Sequence, residues 1–115
     1  MLSSKKRLQK QKTIKQVQGH SLYPKLIESI IVSIGSNIPD GNMYLSPVRV
    51  GTKKNFMRSL FDQYTHNGRI KDELFLLGIP HKNINVFVAR AIIRDTVRHM
   101  EQKRYISYEL RKMSA

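Results

Sequence analysis

Arg90, Arg94 and Arg98 recur at every fourth residue. Residues four apart stack on one face of a helix, so the guanidinium groups would form a ladder about 12 Å long at a rise of about 1.5 Å per residue. Like charges so placed cost a helix about a few tenths of a kcal/mol each. Arg98 has Asp95 and Glu101 three residues to either side, whereas Arg90 and Arg94 have no acid three or four residues away. Two arginines that the local sequence leaves unneutralised suggest an external anion such as phosphate. The plainer alternative is a solvated face with acidic partners elsewhere in the chain, which has only 8 acids to share.

Further basic clusters surround this ladder. Lys53, Lys54 and Arg58 open one helical stretch. Cations there oppose the helix dipole, so Lys53 and Lys54 stand against local stability. Lys103 and Arg104 close another stretch, where the dipole favours them, and Arg111-Lys112 follow. Residues 1 to 20 carry Lys5, Lys6, Arg7, Lys10, Lys12 and Lys15 and no acid, so six of the +13 net charges lie in this segment. The phosphate contacts expected from these patterns are Lys5, Lys6, Arg7, Lys10, Lys53, Lys54, Arg58, Arg90, Arg94, Arg98, Lys103 and Arg104. Tyr105 and Tyr108, beside Lys103 and Arg104, offer rings that could stack on exposed bases, although aromatics at helical spacing more often belong to a core.

Catalytic patterns are lacking. His20, His66, His81 and His99 are scattered and form no His-x-x-x-His pair, and Asp72-Glu73 are adjacent but complete no nuclease motif. There is neither a phosphate-binding Gly-x-x-x-x-Gly-Lys loop nor a Gly-x-Ser-x-Gly nucleophile turn. The expectation is a binding protein rather than an enzyme, with no metal and no cofactor.

Composition agrees with this. Lys and Arg number 21 against 8 Asp and Glu, and the pI is near 10.4. Such an excess steers polyanions and opposes compaction unless an anion is near. The 115 residues allow one small domain with a modest core. With no cysteine, disulfides, thiolate zinc sites and cysteine nucleophiles are excluded. No stretch approaches the ~20 apolar residues of a membrane span, and no apolar run follows the basic N-terminus as a secretory signal would require. A cytoplasmic, nucleoid or nuclear protein is expected, not a secreted one.

The elements that must position these residues are mostly helical. Residues 1 to 20 hold few apolar side chains, so alone they should be a disordered basic arm or a frayed helix. Tyr23, Leu26, Ile27, Ile30, Ile31 and Ile34 then mark one helix face, with Ser21 as its cap, Pro24 in its first turn and Gly35 as a left-handed stop. Ile38-Pro39-Asp40-Gly41-Asn42 reads as a tight turn, and residues 43 to 50 as β-prone pieces interrupted by Pro47, forming an edge hairpin or extended loop. A second helix spans Lys53 to Tyr64 with Thr52 as cap, and a short third runs from Arg69 to Leu77 with Gly78 as stop before Pro80. The fourth, from about Lys82 to Gln102, is apolar over so wide an arc that it should be central. Ser107 is expected to cap a last short helix through Met113. The fold class is therefore mostly α: a basic arm over 1–20 and a domain of four to five helices over 21–115.

Leu76-Leu77-Gly78-Ile79-Pro80, followed by Asn85-x-Phe87-x-x-x-Ala91-Ile92, resembles the second half of ribbon-helix-helix DNA-binding proteins, with Val48-Arg49-Val50 in the place of the ribbon. Val86-Phe87 through Val97, followed by Glu101-x-Lys103-Arg104, is similar to the long central helix and basic loop of histone folds. Both resemblances imply DNA. The expected function is a small DNA-binding accessory or regulatory protein of plasmid, phage or viral type, with DNA favoured over RNA and a homodimer through the 82–102 helix. The alternatives are a structural RNA-binding protein of a ribonucleoprotein, such as an organellar ribosomal protein, or a viral matrix-type protein on anionic lipid. A membrane surface is the less favoured partner.

Overall fold

The computed structural model describes residues 4–38, 42–66, 78 and 86–109. Among them are four helices, α1 (Ser4–Gln18), α2 (Tyr23–Ser36), α3 (Lys53–His66) and α4 (Val86–Gln102), and two short strands, β1 (Val48–Arg49) and β2 (Ile106–Ser107). The chain is thus mostly helical. The tight turn at 39–41, the third helix over 69–77, Pro80, the 82–85 start of the fourth helix and the C-terminal helix beyond 110 lie outside the described residues.

α4 is the centre. Val88, Ala89, Ala91, Ile92, Ile93, Val97 and Met100 are buried, and α1, α2 and α3 all pack against it. The wide apolar arc that suggested a dimer is thus covered, among the described residues, by helices of the same chain. Thr96 shares the core because its hydroxyl donates to the Ile92 carbonyl at 2.7 Å. Such a bond satisfies a buried hydroxyl that would otherwise cost about 1–3 kcal/mol.

α2 buries the six apolar residues that its spacing selects. Two of its terminal signals act otherwise than expected. Ser21 is not the cap; Leu22 is, with no side-chain cap bond, and the Leu22 N–H donates to His20 Nδ1 at 3.0 Å. The chain leaves α1 in a tight turn, with Tyr23 N–H donating to His20 C=O at 3.0 Å, and this delays the helix. Gly35 lies inside the last turn rather than in a left-handed stop. A Cβ there would stand 2.7 Å from Met43 Cε, so the glycine makes room for a buried methionine from the following segment.

The basic N-terminal segment is helical from Ser4 to Gln18. Its last turns are tied to the domain: Val17 and Thr13 are buried, and Ile14 packs against the core. Thr13, Ile14 and Val17 thus dock the C-terminal turns of α1 on the domain, where α1 packs against α4.

The β-prone piece forms no hairpin. β1 pairs in parallel with β2 in the register Val48↔Ile106 and Arg49↔Ser107, and Val48 N–H and Val50 N–H donate to the Tyr105 and Ser107 carbonyls at 3.0 Å. Ser107 is accordingly a strand residue and not a helix cap, and Val48–Arg49 pairs within the chain. A parallel pair needs a long crossover, and the chain through α3 and α4 provides it. Gly51, at φ +86, turns the strand into α3, whose Asn55 N–H is capped by Thr52 Oγ1 at 3.3 Å.

Candidate nucleic-acid interface

The burial of α4 decides where its arginines go. With one broad arc in the core, Arg90, Arg94 and Arg98 occupy the exposed seam. Among the described residues no ion pair engages them; the ion pair there is Lys53 Nζ to Glu101 Oε2 at 3.2 Å, partly exposed. Such a pair contributes about 0–1 kcal/mol. Lys53, at the start of α3, therefore has a structural partner that offsets its unfavourable place against the helix dipole, and Lys54 stays exposed.

Helix packing redistributes the expected clusters. Arg58, grouped in sequence with Lys53 and Lys54, instead joins Arg90 and Arg94 across a groove between α3 and α4. The groove has a volume of about 260 Å³, and Met57, Phe61 and Ile93 complete its lining. The Arg90 guanidinium lies over the Phe61 ring, 5.3 Å from its centroid. A cation in this position is held by the ring quadrupole, a contact of about 0.5–1 kcal/mol at an exposed site. Among the described residues no carboxylate lines the groove.

Arg98 belongs to a different place. It lines a cleft of about 310 Å³ beside Tyr23, Glu28, Asp95 and His99, between α2 and α4. Its two acidic sequence neighbours have other partners: Glu101 pairs with Lys53, and Asp95, in the same cleft, accepts from Tyr23 Oη at 2.6 Å and Gln18 Nε2 at 3.0 Å. Burial, then the hydrogen bond and charge of Asp95, push the Tyr23 hydroxyl far above the ordinary tyrosine range. Tyr23→Phe is expected to lower stability by about 1–2 kcal/mol at neutral pH, because a bond to a charged acceptor is lost. The neutral phenol is the stabilising form, so the difference between the two proteins is full below about pH 10 and fades as pH rises above it. Thermal midpoints across alkaline pH measure this; equal midpoints at pH 7 would refute it.

Lys103 and Arg104 are exposed in the turn that ends α4. Tyr105 N–H donates to Met100 C=O at 3.0 Å and Arg104 N–H to Glu101 C=O at 3.1 Å, which closes the helix with Arg104 left-handed at φ 58. Glycine is the usual residue there, and a larger one is strained. Tyr105 packs on the core with its ring edge-on to Tyr44 at 5.0 Å, and Tyr108 is also partly buried. Burial, then the Glu101 carboxylate, pushes the Tyr108 hydroxyl up to about 12. Both rings thus serve the fold. Lys5, Lys6, Arg7 and Lys10 lie on α1, with side chains outside the described residues. Among the described residues no three His, Asp or Glu side chains come together as a metal site, and no helix is long and apolar enough to cross a membrane.

Comparison with protein families, curated proteins and solved structures finds no match. Of the twelve expected contacts, the structure brings Arg58, Arg90 and Arg94 together and separates Arg98, Lys53 and the Lys103–Arg104 turn from them. The floor residues Met57, Phe61 and Ile93 were legible only as helix-core positions. The spacing of Arg58 and Phe61, three apart on α3, was the one local sign that a cation and a ring share a face.

Proposed function

We propose that this chain is a small DNA-binding accessory protein that holds phosphate with Arg58, Arg90 and Arg94, with the basic residues of α1 and the Lys103–Arg104 turn adding charge around them. The observation that supports this reading is that three arginines from two helices line one groove with no carboxylate beside them among the described residues. A merely solvated helix face would not require arginines at Arg90 and Arg94, where their mutual repulsion opposes the helix. Guanidinium forks match phosphate oxygens in two-pronged geometry, and the surplus of +13 supplies the long-range attraction.

The test is the double replacement Arg90→Gln and Arg94→Gln. Affinity for DNA is expected to fall by roughly 1–3 kcal/mol if both are direct contacts. The thermal midpoint should hold or rise slightly, because a like-charge pair four residues apart is removed. Duplex DNA, single-stranded DNA and structured RNA, titrated side by side, identify the polymer. Tightest binding to structured RNA would transfer the reading to the ribonucleoprotein alternative. Unchanged binding with an early melt would make these arginines internal partners.

A further inference from the structure

A row of exposed cations is enough to follow the phosphates of a duplex, so the apolar floor of the α3–α4 groove asks for another explanation. Met57, Phe61 and Ile93 form it, and the Arg90 guanidinium lies over Phe61 at 5.3 Å while the arginine remains exposed. A guanidinium seated on a ring is planar, ordered and less hydrated than a free one, and such planes stack on unpaired bases. Arg58 and Arg94 flank the same groove with donors for an anion. The volume of about 260 Å³ lies just below the roughly 300–1,000 Å³ of sites for whole drug-sized ligands, which suits one base with its phosphate.

We propose that this groove seats one unpaired nucleotide, with its base stacked on the face of the Arg90 guanidinium and its phosphate held by the edge donors of Arg58, Arg90 and Arg94. The ligand class is single-stranded DNA, or an unpaired segment within a duplex. This inference rests on the nucleic-acid reading above and adds base contact to it.

Arg90→Lys tests it, because lysine keeps the charge and removes the plane. Fluorescence anisotropy would compare a short thymidine strand with an abasic strand of equal length and equal phosphate count, at one salt concentration. The full-length protein is expected to prefer the thymidine strand by roughly 5- to 150-fold, the range that stacking of one base confers. The Arg90→Lys variant, whatever its affinity for the abasic strand, should lose most of that preference. Equal, salt-sensitive binding of both strands by the wild-type chain would overturn base seating and leave the phosphate reading standing. A preference that survives Arg90→Lys would overturn the assignment to this groove. Failure to bind either strand or duplex DNA would overturn the phosphate reading and this inference with it.

Discussion

Affinity for DNA should fall by about 10²- to 10⁴-fold when salt is raised from 50 to 200 mM, given roughly four to eight phosphate contacts. Each neutralised phosphate releases a condensed counterion, and the free energy of that release shrinks as bulk salt rises. The contact number follows from the charge distribution. Three arginines share the groove, and the Lys103–Arg104 turn, Lys54 and the exposed Lys12 and Lys15 of α1 lie outside any ion pair among the described residues. Lys53, bridged to Glu101, should contribute less. An affinity insensitive to salt in this range would remove the electrostatic basis of the proposed function.

Truncation of α1 should separate its two roles. Deleting residues 1 to 11 removes Lys5, Lys6, Arg7 and Lys10 but leaves Thr13, Ile14 and Val17 in place, so binding should weaken while the thermal midpoint holds. Deleting residues 1 to 18 also removes the buried Val17, the packing of Ile14 and the Gln18–Asp95 hydrogen bond. Burial of one such aliphatic side chain contributes about 1.5–3 kcal/mol, so a loss of roughly 3–4 kcal/mol is expected for the longer deletion. In a domain of this size that corresponds to a fall in midpoint of roughly 10–25 °C. Equal midpoints for the two truncations would show that the docked turns contribute nothing to stability.

The helical framework was legible because burial follows local spacing. Leu26, Ile30 and Ile34 of α2, and Phe56, Leu60 and Tyr64 of α3, are core or core-packed where their period places them. What sequence spacing could not carry is pairing at a distance. Ile106–Ser107 has the residues of a short strand, but only the packing of α4 brings it beside Val48–Arg49, and the serine alone reads equally as a cap. Gly35 looked like a stop because glycine tolerates positive φ, yet what it provides is space for Met43 from outside its helix. The site divides in the same way. The Arg90–Arg94 ladder was visible in one helix, whereas its union with Arg58 and Phe61 depends on how α3 lies against α4. Arg98 departs from the ladder because each four-residue step turns about 40° round the helix, and two steps from Arg90 bring it to the cleft facing α2, which Glu28 and His99 share.

The central claim is that Arg90 and Arg94 are phosphate contacts rather than internal partners. The slope of log affinity against log salt, measured on DNA for the wild-type chain and for the Arg90→Gln, Arg94→Gln variant, tests it most directly. Each lost phosphate contact lowers the slope by about one, so the variant's slope should be smaller by about two, with no loss of thermal midpoint. An unchanged slope would place the DNA elsewhere on the protein, and an unchanged slope together with an early melt would make the two arginines part of the fold.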